Sequence, residues 1–137
     1  MIHSHHSPRR SWIAVAGAIL VALSACSAGA SPTQGTCAKV DTNNVIAISA
    51  KDLKFSVSCM QAPAGTAFKV RFTNNDGIPH DVAIYRDAGF SDAIVKSDPF
   101  SGPAVTKDLD VSALPAGTYY FNCIIHPADM KGTLVVK

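Results

Sequence analysis

The sequence lacks an excess of charge of one sign, and it contains no glutamate. It has 12 Lys and Arg residues and 10 acidic residues, and every acidic residue is aspartate. Two of the basic residues, Arg9 and Arg10, lie in a predicted export segment at the amino terminus, so ten basic and ten acidic residues remain in the mature part. Nucleic-acid-binding domains carry a basic patch or stripe. The balanced charge therefore argues against a nucleic-acid partner.

The amino-terminal region also lacks an apolar run long enough to span a membrane. Its apolar stretch extends from Trp12 to Leu23, whereas a transmembrane helix needs about 20 apolar residues. Basic residues before the stretch and small residues after it indicate a signal peptide over residues 1–25. Leu23-Ser24-Ala25-Cys26 resembles a bacterial lipobox, which predicts that Cys26 becomes the lipidated first residue. Ordinary secretory cleavage that leaves Cys26 free is the alternative.

Residues 26–36 connect this predicted anchor to a folded domain that we assign to residues 37–137. The segment from Ser27 to Gly35 contains small and polar residues, with no charge and no hydrophobic period. This composition predicts a flexible tether with a reach of roughly 15 to 18 Å. The expected location is the cell envelope outside the cytoplasm, such as the periplasm, on a membrane. Export by the general or the twin-arginine route stays open, because Arg9-Arg10 loosely matches a twin-arginine signal.

Histidine is scarce in the predicted domain. Removal of the signal would discard three of the 5 histidines and leave His80 and His126. His126 belongs to the pattern Cys123-x2-His126-x3-Met130, which is too short for one strand to direct all three side chains to one point. We therefore expect a tight loop. One thiolate, two imidazoles and a thioether form the ligand set of a trigonal copper site with a weak axial Met; separate structural roles are the alternative.

A convincing helical period is absent as well, and apolar and polar residues alternate from Val45 onward. Such alternation, separated by Gly and Pro turns, is typical of half-buried antiparallel strands and predicts an all-β, single-domain Greek-key sandwich. The segment 87–103 is left open between a strand with loops and one helical turn. The predicted inward faces are Leu53, Phe55, Val57 and Cys59; Phe68, Val70 and Phe72; His80, Val82 and Ile84; and Tyr119, Phe121 and Cys123.

Two stretches resemble the small blue copper proteins, or cupredoxins, of the plastocyanin, pseudoazurin and amicyanin type. Residues 119–136 are similar to their last strand, ligand loop and closing strand. Asn74-Asn75-Asp76-Gly77-Ile78-Pro79-His80 is similar to the turn that delivers the first His ligand. The His-to-Met gap of three residues lies between those of plastocyanin and amicyanin, and Asp81 stands where plastocyanins usually carry Asn.

The resemblance implies one type 1 copper ion bound by His80, Cys123, His126 and Met130. It also implies that the edge of His126 is exposed and passes the electron to redox partner proteins. Ile125, Pro127 and Ala128 would then form a small apolar docking patch; the alternative is that these side chains only pack the loop. We expect a monomer.

The cysteines leave one pair for a disulfide. Lipid would occupy Cys26 and copper Cys123, so Cys37 and Cys59 remain, and a disulfide between them can persist outside the cytoplasm. Two separate buried thiols are the alternative.

These features predict an electron-transfer protein and not an enzyme. Two histidines suffice for one copper site, while copper oxidases and nitrite reductases need more sites, and no histidine is left for a Ser-His-Asp set. The alternative function is a copper-binding lipoprotein for sequestration or delivery, which would use the same ligands.

Overall fold

The structure, a computed structural model, describes residues 36–137. The predicted signal peptide, Cys26 and the tether up to residue 35 lie outside these residues. No helix that could cross a membrane occurs in the described range. The strands are β1 (Ala38–Lys39), β2 (Val45–Lys51), β3 (Lys54–Phe55), β4 (Cys59–Ala62), β5 (Phe68–Asn74), β6 (Pro79–His80), β7 (Ala83–Tyr85), β8 (Ala93–Lys96), β9 (Phe100–Ser101), β10 (Val105–Val111), β11 (Gly117–Asn122) and β12 (Lys131–Val136).

The strands form two main sheets and one short ribbon. The six-stranded sheet has the order β1-β4-β12-β11-β7-β8, the four-stranded sheet has the order β10-β5-β2-β3, and β6 pairs with β9. The ring centroids of Phe55 in one sheet and Phe121 in the other are 5.3 Å apart, so the sheets pack face to face. Neighbours such as β4 and β12 are distant in sequence, which requires crossover connections. The predicted all-β sandwich is confirmed.

The predicted antiparallel pairing is only partly correct. β10 and β5, β11 and β12, and β11 and β7 are antiparallel. However, β2 runs parallel to β5, and β4 runs parallel to both β1 and β12. Alternating apolar residues show which side of a strand is buried, and that side does not depend on the direction of the neighbouring strand. The crossover connections set the direction instead.

The strand predicted over Leu53 to Cys59 is divided in two, and the inward position of Leu53 is wrong. Asp52 and Leu53 have φ angles of 51° and 58° and form the turn between β2 and β3. Leu53 is 37% exposed. The apolar alternation continues through this turn, so the period alone does not locate it. The chain then changes sheets, and β4 begins at Cys59.

The segment 87–103, left open by the sequence, contains β8 and β9 and no helical turn. The Asp87 carboxylate accepts hydrogen bonds from the amides of Ser91 at 3.1 Å and Asp92 at 2.7 Å, which closes the loop before β8. β9 pairs with β6 so that Phe100 lies opposite His80. This segment therefore supports the first predicted histidine ligand.

The core of the sandwich continues to the predicted ligands. The inward faces predicted for β5, for residues 80–84 and for residues 119–123 are buried. Cys123 and Met130 belong to the same buried apolar cluster as the centre of the sandwich. A Cβ atom at Gly132 would lie 2.5 Å from both the Phe121 ring and the Ser58 carbonyl oxygen. Glycine therefore allows β12 to pack against β11 immediately after the ligand loop.

Cys37 and Cys59 form a disulfide, with Cα atoms 4.5 Å apart. The predicted pairing is confirmed, and the alternative of two separate thiols is wrong. The bond joins the residue before β1 to the first residue of β4, so it fixes the start of the described domain to the six-stranded sheet. Within residues 36–137, Cys123 is the free cysteine.

Candidate metal centre

The loop between β11 and β12 folds back on itself, as the short spacing predicts. The Cys123 amide donates to the Met130 carbonyl at 2.9 Å, and the Met130 amide donates to the His126 carbonyl at 3.0 Å. These bonds close the loop at both ends of the Cys-x2-His-x3-Met pattern. The backbone therefore holds all three residues in one compact turn that starts and ends on neighbouring strands.

A second turn, between β5 and β6, positions His80, and a buried asparagine organises it. Asn74 Nδ2 donates to the carbonyls of Ile78 at 2.9 Å and Phe100 at 2.7 Å. Asn74 Oδ1 accepts from the Asp76 amide at 2.8 Å. Sequence reasoning missed this role. The available signal was an asparagine at the end of a strand before Asn-Asp-Gly, because such side chains bond the backbone of following turn residues.

The two turns bring three predicted ligands together. His126 Nδ1 lies 3.1 Å from His80 Nδ1, and Cys123 Sγ lies 3.9 Å from His80 Nδ1 and 3.7 Å from His126 Nδ1. One ion at about 2 Å from each nitrogen and slightly farther from the sulfur can span such separations. One thiolate and two imidazoles are donors that suit copper. The residues present therefore fit a single copper ion.

Met130 ends the loop and is fully buried, with 0% of its surface exposed. It lies in the same apolar cluster as Cys123. Its backbone bonds both Cys123 and His126, so the loop holds it beside these two residues.

Burial favours the protonated thiol of Cys123 when no metal is bound. Desolvation raises the pKa of the Cys123 thiol, and backbone hydrogen bonds involving Asp81 and His126 act in the opposite direction. A buried thiol with a raised pKa is a poor nucleophile, because the thiolate is the reactive form. A metal ion can displace the proton. This cysteine is therefore suited to metal ligation.

Two aspartates, Asp76 and Asp81, form hydrogen bonds in the turns that carry the histidines and the cysteine. Asp76 Oδ2 lies 2.9 Å from His80 Nε2. Two hydrogen bonds lower the pKa of Asp76, and the one from the Asp52 amide has a larger effect than the one with His80. Asp81 Oδ1 accepts from the Ile124 amide and thereby connects the two turns, while its buried Oδ2 has no hydrogen-bond partner in residues 36–137. The sequence marked Asp81 as a departure from plastocyanins but did not predict the contact of Asp76.

Apolar side chains next to the ligands face solvent. Ile78 is 46% exposed, and Ile124 and Ile125 are each 44% exposed. Pro127 and Ala128 are also exposed. His126 itself is half-buried. The loop thus presents apolar side chains to solvent before and after His126, while Cys123 and Met130 at its two ends are buried.

Comparison with known proteins identifies relatives of this fold. The profile of the cupredoxin-like domain matches residues 14–136. The chain is similar to reduced auracyanin from Roseiflexus castenholzii, at 20% identity and a TM-score of 0.61, covering 71% of this chain and 99% of that one. Auracyanin A, a blue copper protein from Chloroflexus aurantiacus, is 23% identical, with a TM-score of 0.58 and coverage of 68% and 98%.

Amicyanin from Paracoccus versutus is 22% identical, with a TM-score of 0.52 and coverage of 72% and 85%. No curated protein sequence matches this chain. At these identities the solved structures establish the fold, whereas the domain profile establishes the family. Because that profile covers far more than half of the sequence, the chain belongs to the cupredoxin-like family.

Proposed function

We propose that this protein carries single electrons by means of one type 1 copper ion held by His80, Cys123, His126 and Met130. The observation that carries the proposal is the convergence of donors: the ligand atoms of His80, Cys123 and His126 all lie within 4.8 Å of one another. This convergence occurs at the end of a buried core in a cupredoxin-like chain. No feature of the site suggests a second metal or a bound substrate, and we propose no enzymatic role.

Bound copper supplies a one-electron change between Cu(I) and Cu(II). The residues of the chain supply rigidity, which limits rearrangement between the two states. The Asn74 side chain and the pairing of β6 with β9 hold His80, and the backbone bonds of the loop hold Cys123, His126 and Met130. The buried apolar surroundings and the axial ligand influence the reduction potential.

We propose that the electron leaves through the half-buried edge of His126. Ile125, Pro127 and Ala128 lie next to His126 in the sequence and are exposed, which favours a docking role over packing of the loop. A small apolar patch suits the brief contacts of redox partners, whose interfaces are typically below about 1,200 Å². Ile124 in the same loop and Ile78 in the turn before His80 are also exposed and apolar.

The visible spectrum of the oxidised, copper-loaded protein tests the function. We expect an intense thiolate-to-copper charge-transfer band, because Cys123 would donate its sulfur directly to Cu(II). Cys123→Ser should abolish the band, since serine provides no sulfur. A colourless Cu(II) complex of the unaltered protein would contradict the proposal.

Repeated electrochemical cycling separates electron transfer from copper sequestration or delivery. We expect the protein to retain its copper through many reductions and oxidations. Release of the metal in the Cu(I) state would favour delivery instead.

We also propose that residues 1–25 are removed on export, that Cys26 is lipidated, and that residues 26–36 tether domain 37–137 to an envelope membrane as a monomer. The disulfide supports a location outside the cytoplasm, where such bonds persist. Cys26→Ser should shift the exported protein from the membrane fraction to the soluble fraction. Unchanged membrane association would contradict the anchor.

A further inference from the structure

We infer that Asp76 positions His80 and lowers the reduction potential of the metal centre, an inference that rests on the proposed function. Asp76 Oδ2 lies 2.9 Å from His80 Nε2, while His80 Nδ1 faces Cys123 Sγ. A carboxylate only accepts hydrogen bonds. The proton of a neutral His80 must therefore lie on Nε2, which leaves the lone pair of Nδ1 free for the metal.

The carboxylate is itself held in a fixed position. The Asp52 amide donates to Asp76 Oδ1 at 3.0 Å, and the Leu53 amide approaches Oδ2 at 3.4 Å. The backbone of Asp76 bonds to the side chain of Asn74 at 2.8 Å and to the amide of Gly102 at 2.9 Å. Only 13% of the Asp76 side chain is exposed. Such support is what an outer-sphere partner needs to orient a ligand.

The same carboxylate also supports an unfavourable turn. Asp52 and Leu53 both adopt positive φ angles, which disfavour residues other than glycine, and a bulky residue such as leucine in particular. Asp76 accepts from both amides and so compensates for this conformation. It therefore connects the turn between β2 and β3 to His80, and any test must separate these two roles.

The negative charge and the acceptor strength of Asp76 act in the same direction on the metal. Both increase electron donation from His80 and favour the more positive Cu(II) over Cu(I). The carboxylate should therefore lower the reduction potential.

Asp76→Asn tests the inference with little change in side-chain shape. Loss of an outer-sphere partner typically reduces metal affinity by about tenfold or more. A tenfold lower affinity for Cu(II), with the affinity for Cu(I) unchanged, would raise the reduction potential by about 59 mV, the value of a tenfold change for a one-electron couple. We expect a rise of this size. Asp110→Asn is the matched control, because it also removes one negative charge. Asp110 forms an exposed ion pair with Lys69, and this pair lies at the opposite end of the paired strands β5 and β10 from Asn74. This control should leave the potential unchanged.

Leu53→Gly separates the role in the turn from the role at His80. It relieves the positive φ and produces an Asp-Gly pair, which hairpin turns prefer. In the Leu53→Gly/Asp76→Asn double variant we expect stability to recover while the potential stays raised. A potential that returns to the original value together with stability would show a purely structural role and overturn the inference.

Nitrogen NMR of the metal-free protein, at a pH where imidazole is neutral, provides a measurement independent of copper. The unaltered protein should hold its His80 proton on Nε2. In Asp76→Asn the neutral amide is a weaker acceptor than the carboxylate, so it holds this proton less firmly and the share of His80 protonated on Nδ1 should rise. An unchanged tautomer in this variant would overturn the inference, even if the spectral test of the proposed function succeeds. A shifted tautomer in a protein without the blue band would show positioning by Asp76 and failure of the proposed function.

Discussion

At the scale of single residues, Met130 differs from the other predicted ligands in how directly it would bind the metal. Cys123 and the two histidines present their donor atoms to one another. Met130 is a buried member of the core cluster at the end of the loop. A weak axial thioether adjusts the reduction potential more than it determines the thiolate spectrum. Replacement of Met130 therefore tests its role without removing the centre.

We expect Met130→Leu to keep the charge-transfer band and to raise the reduction potential. Leucine removes a lone-pair donor and adds apolar surface, both of which disfavour the more positive Cu(II). Met60→Leu is the matched control, because Met60 is equally buried but lies in β4. Voltammetry of both variants provides the measurement. An unchanged potential in Met130→Leu would show that Met130 is not the axial ligand.

Some residues of the site could be predicted from the sequence, and others could not. Cys123, His126 and Met130 lie in one short pattern, and their spacing allows few arrangements other than a loop. Asn74 and Asp76 read as ordinary turn residues in the sequence. Their importance comes from contacts that the sequence does not show. The bonds to Phe100 and Leu53 depend on how separate segments pack together, and the bond to His80 depends on how this turn folds back on itself.

At the scale of elements, the turn before β2 depends on one carboxylate. Asp41 Oδ1 accepts from the amides of Asn43 at 2.8 Å and Val45 at 2.9 Å. These hydrogen bonds lower the pKa of Asp41 below its ordinary value, and the bond from Val45 has the larger effect. The folded state thus favours the ionised carboxylate. Its contribution to stability is present above the unfolded pKa and is lost as the pH falls through the folded pKa.

We expect Asp41→Ala to lower the free energy of unfolding at neutral pH, because the two amides lose their acceptor. The difference from the unaltered protein should narrow as the pH falls below about 4, the ordinary range of an Asp carboxyl. Urea unfolding of the metal-free proteins at several pH values measures this. A difference that stays constant with pH would contradict the assigned role of the charge.

At the scale of the whole molecule, the disulfide fixes the first described strand to the core. Cys37 and Cys59 enclose a segment with a sequence separation of 22 residues. β1 itself has only two residues and pairs with β4 alone. Loss of the cross-link would therefore release the start of the domain and increase the conformational entropy of the unfolded chain.

We expect the Cys37→Ser/Cys59→Ser double variant to lose about 3 kcal/mol of unfolding free energy, by the chain-entropy estimate for a loop of this size. Urea unfolding of metal-free protein measures this loss. The blue band of the copper-loaded variant should persist, because neither cysteine belongs to the proposed ligands. A loss of the band with stability retained would mean that the bond acts on the metal centre instead.

The residues alone were enough to predict the all-β class, the pairing of Cys37 with Cys59, and a short loop that contains Cys123, His126 and Met130. Alternation and spacing carry the class and the loop, because they depend on neighbours along the chain, whereas the disulfide followed from the number of cysteines left to pair. Three features became visible only in the folded chain: the parallel pairing of β2 with β5, the exposed turn at Leu53, and the contact of Asp76 with His80. The direction of β5 beside β2 depends on the crossover connections. Apolar alternation runs on through the turn at Leu53 and does not locate it, and the contact of Asp76 with His80 depends on how the chain between β5 and β6 folds back.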